Sequence, residues 1–245
     1  ELRLPENLEV LGSKAFNNCG LTGSLKIPKM IESIGSYTFG DIIGGGSEYV
    51  YNEFNGTLEL PEGLIEIANN AFYDAGFTGE LILPEGLVRV GKEAFSGCGF
   101  SGELIFPSSI TRIDAYAFSL KNIRGTLEIP SGLGEIDIRS FPYNVSKIII
   151  PADVVKITGS ISGLYLKEVI CKSKTPPTLT TNAFLNTSMG NDLVNKIRLV
   201  NVQVPEASLL KYQTVQYWGD YIPSVYRDFN LDLESTCALN AAHSR

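Results

Sequence analysis

The residues that could do chemistry are few and badly spaced for it. The only histidine, His243, lies in the last three positions of the chain. A Ser–His or Cys–His nucleophile needs a base held within hydrogen-bond reach, and a terminal histidine offers none. Cys19, Cys98, Cys171 and Cys237 are separated by 66 residues or more, so there is no CxxC pair and no zinc-ligand spacing. Two carboxylates could serve a glycosidase, but the acidic residues fall on repeating surface positions and no pair stands apart. DFNLDLE (228–234) alternates oxygen ligands like a calcium loop, yet Leu233 stands where that loop needs glycine and no glutamate follows at its twelfth position. It reads better as an alternating strand. GGGS (44–47) is followed neither by Lys-Ser/Thr nor by a helix signal, so it is no phosphate loop. The sequence thus predicts no enzyme, no cofactor and no metal. What remains is recognition chemistry.

Composition narrows the partners. Lys and Arg number 20 against 27 Asp and Glu, a net charge of −7, with no long run of either sign. Nucleic acid and anionic membranes are therefore not expected partners. No apolar stretch reaches the ~20 residues that cross a bilayer; the most apolar, KIIIPADVV (147–155), is broken by Pro151. The opening ELRLPENLEV reads as partway into a repeat. An N-terminal part is expected to be missing, and the lack of a leader then says nothing about compartment.

The elements that must position any site come from a repeat. Prolines at 5, 28, 61, 84, 107, 130 and 151 are spaced 23, 33, 23, 23, 23 and 21 residues apart. The 33 is a 23 carrying a ten-residue insertion near DIIGGGSEYV (41–50). Leucine or isoleucine stands three before each proline (Leu2, Leu25, Leu58, Leu81, Leu104, Leu127, Ile148), and an apolar residue one before it (Leu4, Ile27, Leu60, Leu83, Phe106, Ile129, Ile150). A spacing of two puts both on one face of a short strand, which proline ends. Gly23, Gly56, Gly79, Gly102 and Gly125 suit a turn with positive φ. Apolar residues recur three and six after the proline, and phenylalanine eleven after it: Phe16, Phe39, Phe72, Phe95, Phe118 and Phe141. A unit of this size cannot bury five apolar side chains alone. Stacked units give parallel strands ~4.8 Å apart and one continuous core, with the phenylalanines as a spine away from the strands.

The ladder has further consequences. Cys19 and Cys98 share a column three coils apart, roughly 14 Å, too far for the ~7 Å a disulfide tolerates. Both are expected to be buried thiols, as Ala75 fills the same column. Glu66, Arg89, Arg112, Glu135 and Lys156 form an exposed column, and pairing of Glu66 with Arg89 and of Arg112 with Glu135 is expected to support the register.

The unit GxLxLPxxLxxIxxxAFxxCxxFTG resembles the BspA-like leucine-rich repeats of bacterial surface proteins. The resemblance covers about residues 1–165. CKSKTPPTLTTNAF (171–184) and VPEASLLKYQTVQYWGDY (204–221) are similar to the closing segments of such proteins, in which Val204, Pro205, Tyr212 and Trp218 would seal the last coil. The implied fold is an α/β-type solenoid: a right-handed leucine-rich-repeat coil with a parallel sheet of short strands and mostly irregular or short helical turns on the opposite side. Residues 1–185 would form seven to eight coils of 23 residues with the insertion near 41–52, 186–229 a closing segment, and 230–245 a loosely ordered tail. The seventh coil departs from the pattern, with Ile161-Ser162 in place of Ala-Phe. The resemblance implies a secreted or surface-anchored protein and, as in some members, adhesion to host or bacterial proteins; it supplies no binding motif to carry over.

Two candidate binding regions follow. On the strand face, Ile82 and Ile105 stand on adjacent rungs beside Glu80 and Glu103; exposed apolar pairs mark contacts, although β-branched residues also simply suit strands. In the insertion, Tyr49, Val50, Tyr51 and Phe54 follow the glycine run; aromatics on a projecting loop suit recognition, or pack on the neighbouring coil. The reading is a non-catalytic extracellular module that binds protein. The alternatives are a glycan- or cell-wall-binding domain, which the placing of the single Trp218 in the cap weakens, and a structural spacer.

Overall fold

The computed structural model describes residues 2–41, 50–161, 165–184 and 200–221. Tyr49, Cys237, His243, the 228–234 segment and the tail from 230 lie outside them.

Alternation around each proline builds the front of the solenoid. Leu25, Ile27, Leu58, Leu81, Leu83, Leu104, Leu127 and Ile129 are buried, and the residues between them (Lys26, Glu59, Ile82, Ile105, Glu128) face out. In chain order the second coil gives β1 (Leu25–Lys26) and β2 (Ser33–Ile34), the third β3 (Leu58–Glu59) and β4 (Glu66–Ile67), and the fourth β5 (Arg89–Val90). The fifth gives β6 (Ser101–Gly102) and β7 (Arg112–Ile113). The sixth gives β8 (Asn122–Ile123), β9 (Thr126–Glu128) and β10 (Glu135–Asp137). Then come β11 (Lys147–Ile150), β12 (Lys156–Thr158), β13 (Glu168–Cys171), β14 (Thr178–Leu179) and β15 (Asn201–Gln203). All pairings are parallel.

Neighbouring coils are stitched along three lines. A front ladder joins the pre-proline strands, in the orders β1-β3 and β15-β13-β11-β9. A side ladder joins the strands after the proline, in the orders β2-β4-β5-β7 and β10-β12-β14. The third line runs through the turns, where six spine residues donate their N–H to the coil that follows: Phe16 to Thr38, Phe39 to Ala71, Phe72 to Ala94, Phe95 to Ala117, Phe118 to Ser140 and Ile161 to Ala183, all at 2.8–2.9 Å. These bonds satisfy main-chain groups that a helix would otherwise satisfy internally. The opposite side accordingly holds stacked turns with little helix; among the described residues only Ile138–Ser140 forms a 3₁₀ turn there. The pair β6-β8 adds two rungs beside it.

The core is a double file of aromatic rings. Phe16, Phe39, Phe72, Phe95 and Phe118 stack in sequence with centroids 5.2–5.6 Å apart. Phe54, Phe77 and Phe100 make a second stack, at 4.3 and 6.3 Å, set edge-on to the first. Thr38 is tolerated among the small residues of its column because its buried hydroxyl donates to the Gly12 and Gly35 carbonyls at 3.0 and 2.8 Å. Ile161 takes the spine position where the seventh coil lacks phenylalanine, and is buried.

Two local expectations need correction. Gly56, unlike Gly79 and Gly102, does not adopt positive φ; a Cβ there would press on the backbone and hydroxyl of Ser24. Arg89 does bind Glu66 at 2.7 Å, but Arg112 turns to Asp114 at 2.8 Å, while Glu135 pairs with Lys156 at 2.8 Å. The side ladder stops at β7 and restarts at β10, so Arg112 and Glu135 are not on bonded rungs.

β15 adds a rung beyond residue 185 by pairing with β13. A 3₁₀ turn (Glu206–Ser208), α1 (Leu209–Thr214) and α2 (Trp218–Tyr221) then fold over it. Tyr212 and Trp218 are fully buried, with ring centroids 5.1 Å apart.

Candidate functional site

On the strand face the structure sets Ile82 and Ile105 on adjacent coils, 70% and 71% exposed. Glu80 and Glu103 are exposed beside them. The surrounding charges on this face are neutralised: Lys26 binds Glu59 at 3.0 Å on one side, and on the other Lys172 binds Glu128 at 3.0 Å and Lys147 binds Glu168 at 2.8 Å. Among the described residues Glu80 and Glu103 form no ion pair. The centre of the face is thus a small apolar and acidic patch between neutral borders.

The insertion candidates divide. Val50 and Tyr51 are exposed, at 63% and 38%, with the Val50 side chain lying over Gly20. Phe54 is not on the surface: it is 1% exposed and stacks on Phe77 at 4.3 Å. It belongs to the phenylalanine column that precedes the turn glycine, and core packing claims it. Tyr49 lies outside the described residues.

How the insertion is held was not foreseen. Asn52 occupies the column of Cys19, Ala75 and Cys98. Its side chain is buried and fully used: Nδ2 donates to the Phe16 and Phe39 carbonyls at 2.8 and 2.9 Å, and Oδ1 accepts the Cys19 and Leu21 N–H groups at 3.2 and 3.0 Å. The Asn52 N–H donates to Asp41 at 2.9 Å. Burial holds the Asp41 carboxyl above its ordinary range, against the lowering effect of the Asn52 and Asn18 main-chain N–H groups. Ten residues lie between this pair in sequence, so the regular coil leaves at Asp41 and resumes at Asn52.

The thiols also differ from expectation. Cys98 is buried, its Sγ donating to the Phe72 carbonyl at 3.1 Å, and burial pushes its pKa up to about 12. Cys19 is exposed. The shared column does not bury it; Leu2, Leu4, Leu8 and Phe16 of the same coil are likewise only half-buried.

Sequence reasoning missed a second adjacent pair, Ile65 and Val88, 46% and 36% exposed beside Glu66 and Arg89 on the side ladder. It also missed a column of left-handed residues nine after the proline. Lys14, Tyr37, Asn70, Glu93 and Tyr116 all have φ between 55° and 61°, a conformation that disfavours L side chains. The turn-ladder bond holds each of the first four there, as in Asn70 N–H to the Lys92 carbonyl at 2.8 Å. Among the described residues no cluster of three or more His, Cys, Asp or Glu is placed to hold a metal ion, and no helix is long and apolar enough to cross a membrane.

A stack of parallel two-to-four-residue strands, one turn line and an aromatic spine defines a leucine-rich-repeat solenoid, a scaffold that presents surface rather than enclosing a substrate. The family model for the BspA type leucine rich repeat region matches residues 1–43 and 46–161 in six copies, and the chain belongs to that family. A solved structure of a leucine-rich repeat protein from Bacteroides ovatus ATCC 8483 is similar at 19% identity, over 81% of this chain and 67% of that one, with a TM-score of 0.38. No curated protein matches the chain.

Proposed function

We propose that the chain is a non-catalytic extracellular binding module that engages a partner protein through the front face, with the exposed part of the insertion as a second contact. The observation that carries this reading is the pair Ile82 and Ile105, more than two-thirds exposed on adjacent coils beside Glu80 and Glu103. Large apolar side chains set together in water mark a contact surface, and unpaired carboxylates beside them favour a partner with basic groups. A glycan platform would need aromatic rings clustered on the strand face, and the one tryptophan, Trp218, is buried in the cap.

The test is capture of proteins from extracellular-matrix extract and bacterial lysate on the immobilised chain and on an Ile82→Glu/Ile105→Glu variant. A species retained by the first and lost by the second supports the reading. Identical retention by both sinks it, as would strong saturable glycan-array binding that the variant abolishes. Deleting residues 42–51, which spares Asn52 and restores a 23-residue coil, measures the share of the insertion.

A further inference from the structure

Phe106 is the one phenylalanine in a column otherwise filled by Leu4, Ile27, Leu60, Leu83, Ile129 and Ile150. Its ring meets Phe118 and Phe141 edge-to-face at 5.2 and 5.7 Å. The earlier spine rings stack directly on one another; here the larger side chain stands between two of them. At the same joint the side ladder breaks too. The front ladder is unformed from β3 to β9, and between the fifth and sixth coils the side ladder is interrupted as well, since β7 ends one sheet and β10 begins the next. The turn line, through Phe118 N–H to the Ser140 carbonyl, and the β6-β8 pair still join the two coils.

A groove of about 620 Å³ lies there, with Glu103, Ile105 and Phe106 on one wall and Thr126, Glu128 and Ile129 on the other. Its volume falls in the range of ligand sites. The second wall is an edge strand. Lys147 N–H donates to Gly125 and Ile129 N–H to Ile149, which fixes the phase of β9. Main-chain groups alternate sides along a strand, so those of Thr126 and Glu128 face the groove. An open edge of this kind pairs with extended chain. Lys172 is already held by Glu128, which leaves Glu103 as the carboxylate at the rim without an ion pair among the described residues.

We propose that this groove binds an extended peptide segment of a partner protein, paired along β9, with a lysine or arginine at Glu103 and apolar side chains against Ile105 and Phe106. The proposal rests on the front-face reading, since Glu103 and Ile105 belong to both.

The experiment titrates the full chain with a fluorescent hexapeptide of alternating lysine and valine. Controls carry glutamate in place of lysine, or N-methyl groups on alternate amides. The lysine peptide is expected to bind saturably and shift the Thr126 and Glu128 amide resonances, and both controls to bind at least tenfold more weakly. Glu103→Gln should weaken binding about fivefold. Phe106→Leu should weaken it more, with no fall in the thermal midpoint, because leucine fits the column. Absent binding of the lysine peptide, equal binding of the glutamate peptide, or unchanged binding by Glu103→Gln overturns the proposal. Ile82 lies outside the groove, so loss of captured protein in an Ile82→Glu variant preserves the front-face reading even if the peptide fails.

Discussion

Asp41 and Asn52 meet across 2.9 Å, the N–H of one donating to the carboxylate of the other, at the point where the inserted residues leave and rejoin the coil. Asn52 does with one amide what a thiol does in Cys98, whose Sγ bonds the Phe72 carbonyl of the preceding coil. The amide adds a second carbonyl and two N–H groups. Replacing Asn52 by alanine leaves these buried or half-buried main-chain groups unmatched, at about 1–3 kcal/mol for each group fully cut off from water. Asn52→Ala is expected to lower stability by about 3 kcal/mol, measured as a shift of the denaturation midpoint. A loss below about 0.5 kcal/mol would mean that water replaces the amide.

The Asp41 carboxyl gives that joint a pH dependence. Burial raises its pKa in the folded chain above the ordinary 3.8. The folded state therefore holds the proton to higher pH than the unfolded one. The stability this contributes is fully present below the unfolded value and is lost as pH rises through the folded value. Asp41→Asn keeps an acceptor for the Asn52 N–H and removes the titration. The thermal midpoint of the variant minus that of the unaltered chain should grow as pH rises from about 3 to 7. A constant difference across that range would show that Asp41 does not titrate between the two states.

Most of the scaffold was legible because each column repeats one physical demand. Leu25 and Leu127 are buried for the same reason, so reading one coil reads its neighbours. The places where the sequence misled are those where a column meets something outside itself. Cys19 has the same column position as Cys98 and is exposed, in a coil whose leucines and phenylalanine are only half-buried. Phe54 follows a glycine run and looked like part of the loop, yet its column already belongs to the core. Phe106 replaces leucine or isoleucine without changing polarity, so the pattern hides its edge-on contacts with Phe118 and Phe141. Glu80, Ile82, Glu103 and Ile105 were legible as outward-facing, but the neutral borders around them depend on which side chains pair across coils.

The thiols should react in a fixed order. In a Cys237→Ser background, a maleimide is expected to label Cys19 in the folded chain within minutes. Cys98 and Cys171 should stay unlabelled until denaturant is added. Both are buried, and burial raises their thiol pKa, that of Cys98 to about 12, so little thiolate forms. Mass spectrometry of the digested protein reads the sites. Early labelling of Cys98 would mean that the fourth coil opens without global unfolding.

The cap should melt on its own when cut. Trp218 donates through Nε1 to the Pro177 carbonyl at 2.7 Å and lies against Phe184 and Tyr212. The Tyr212 hydroxyl donates to the Ser173 carbonyl at 2.8 Å and lies 3.2 Å from Cys171 Sγ. Trp218→Ala removes the largest buried ring of the closing segment, a loss of about 3–5 kcal/mol. Tyr212→Phe keeps the ring and removes one hydroxyl, about 1–2 kcal/mol. In a solenoid each coil touches only its neighbours, so the damage should stay near the end. Hydrogen exchange is expected to show β13 and β15 losing protection in Trp218→Ala, while β4 and β5 keep theirs. Equal loss along the whole chain would show that the coils unfold as one cooperative unit and that the cap stabilises all of them.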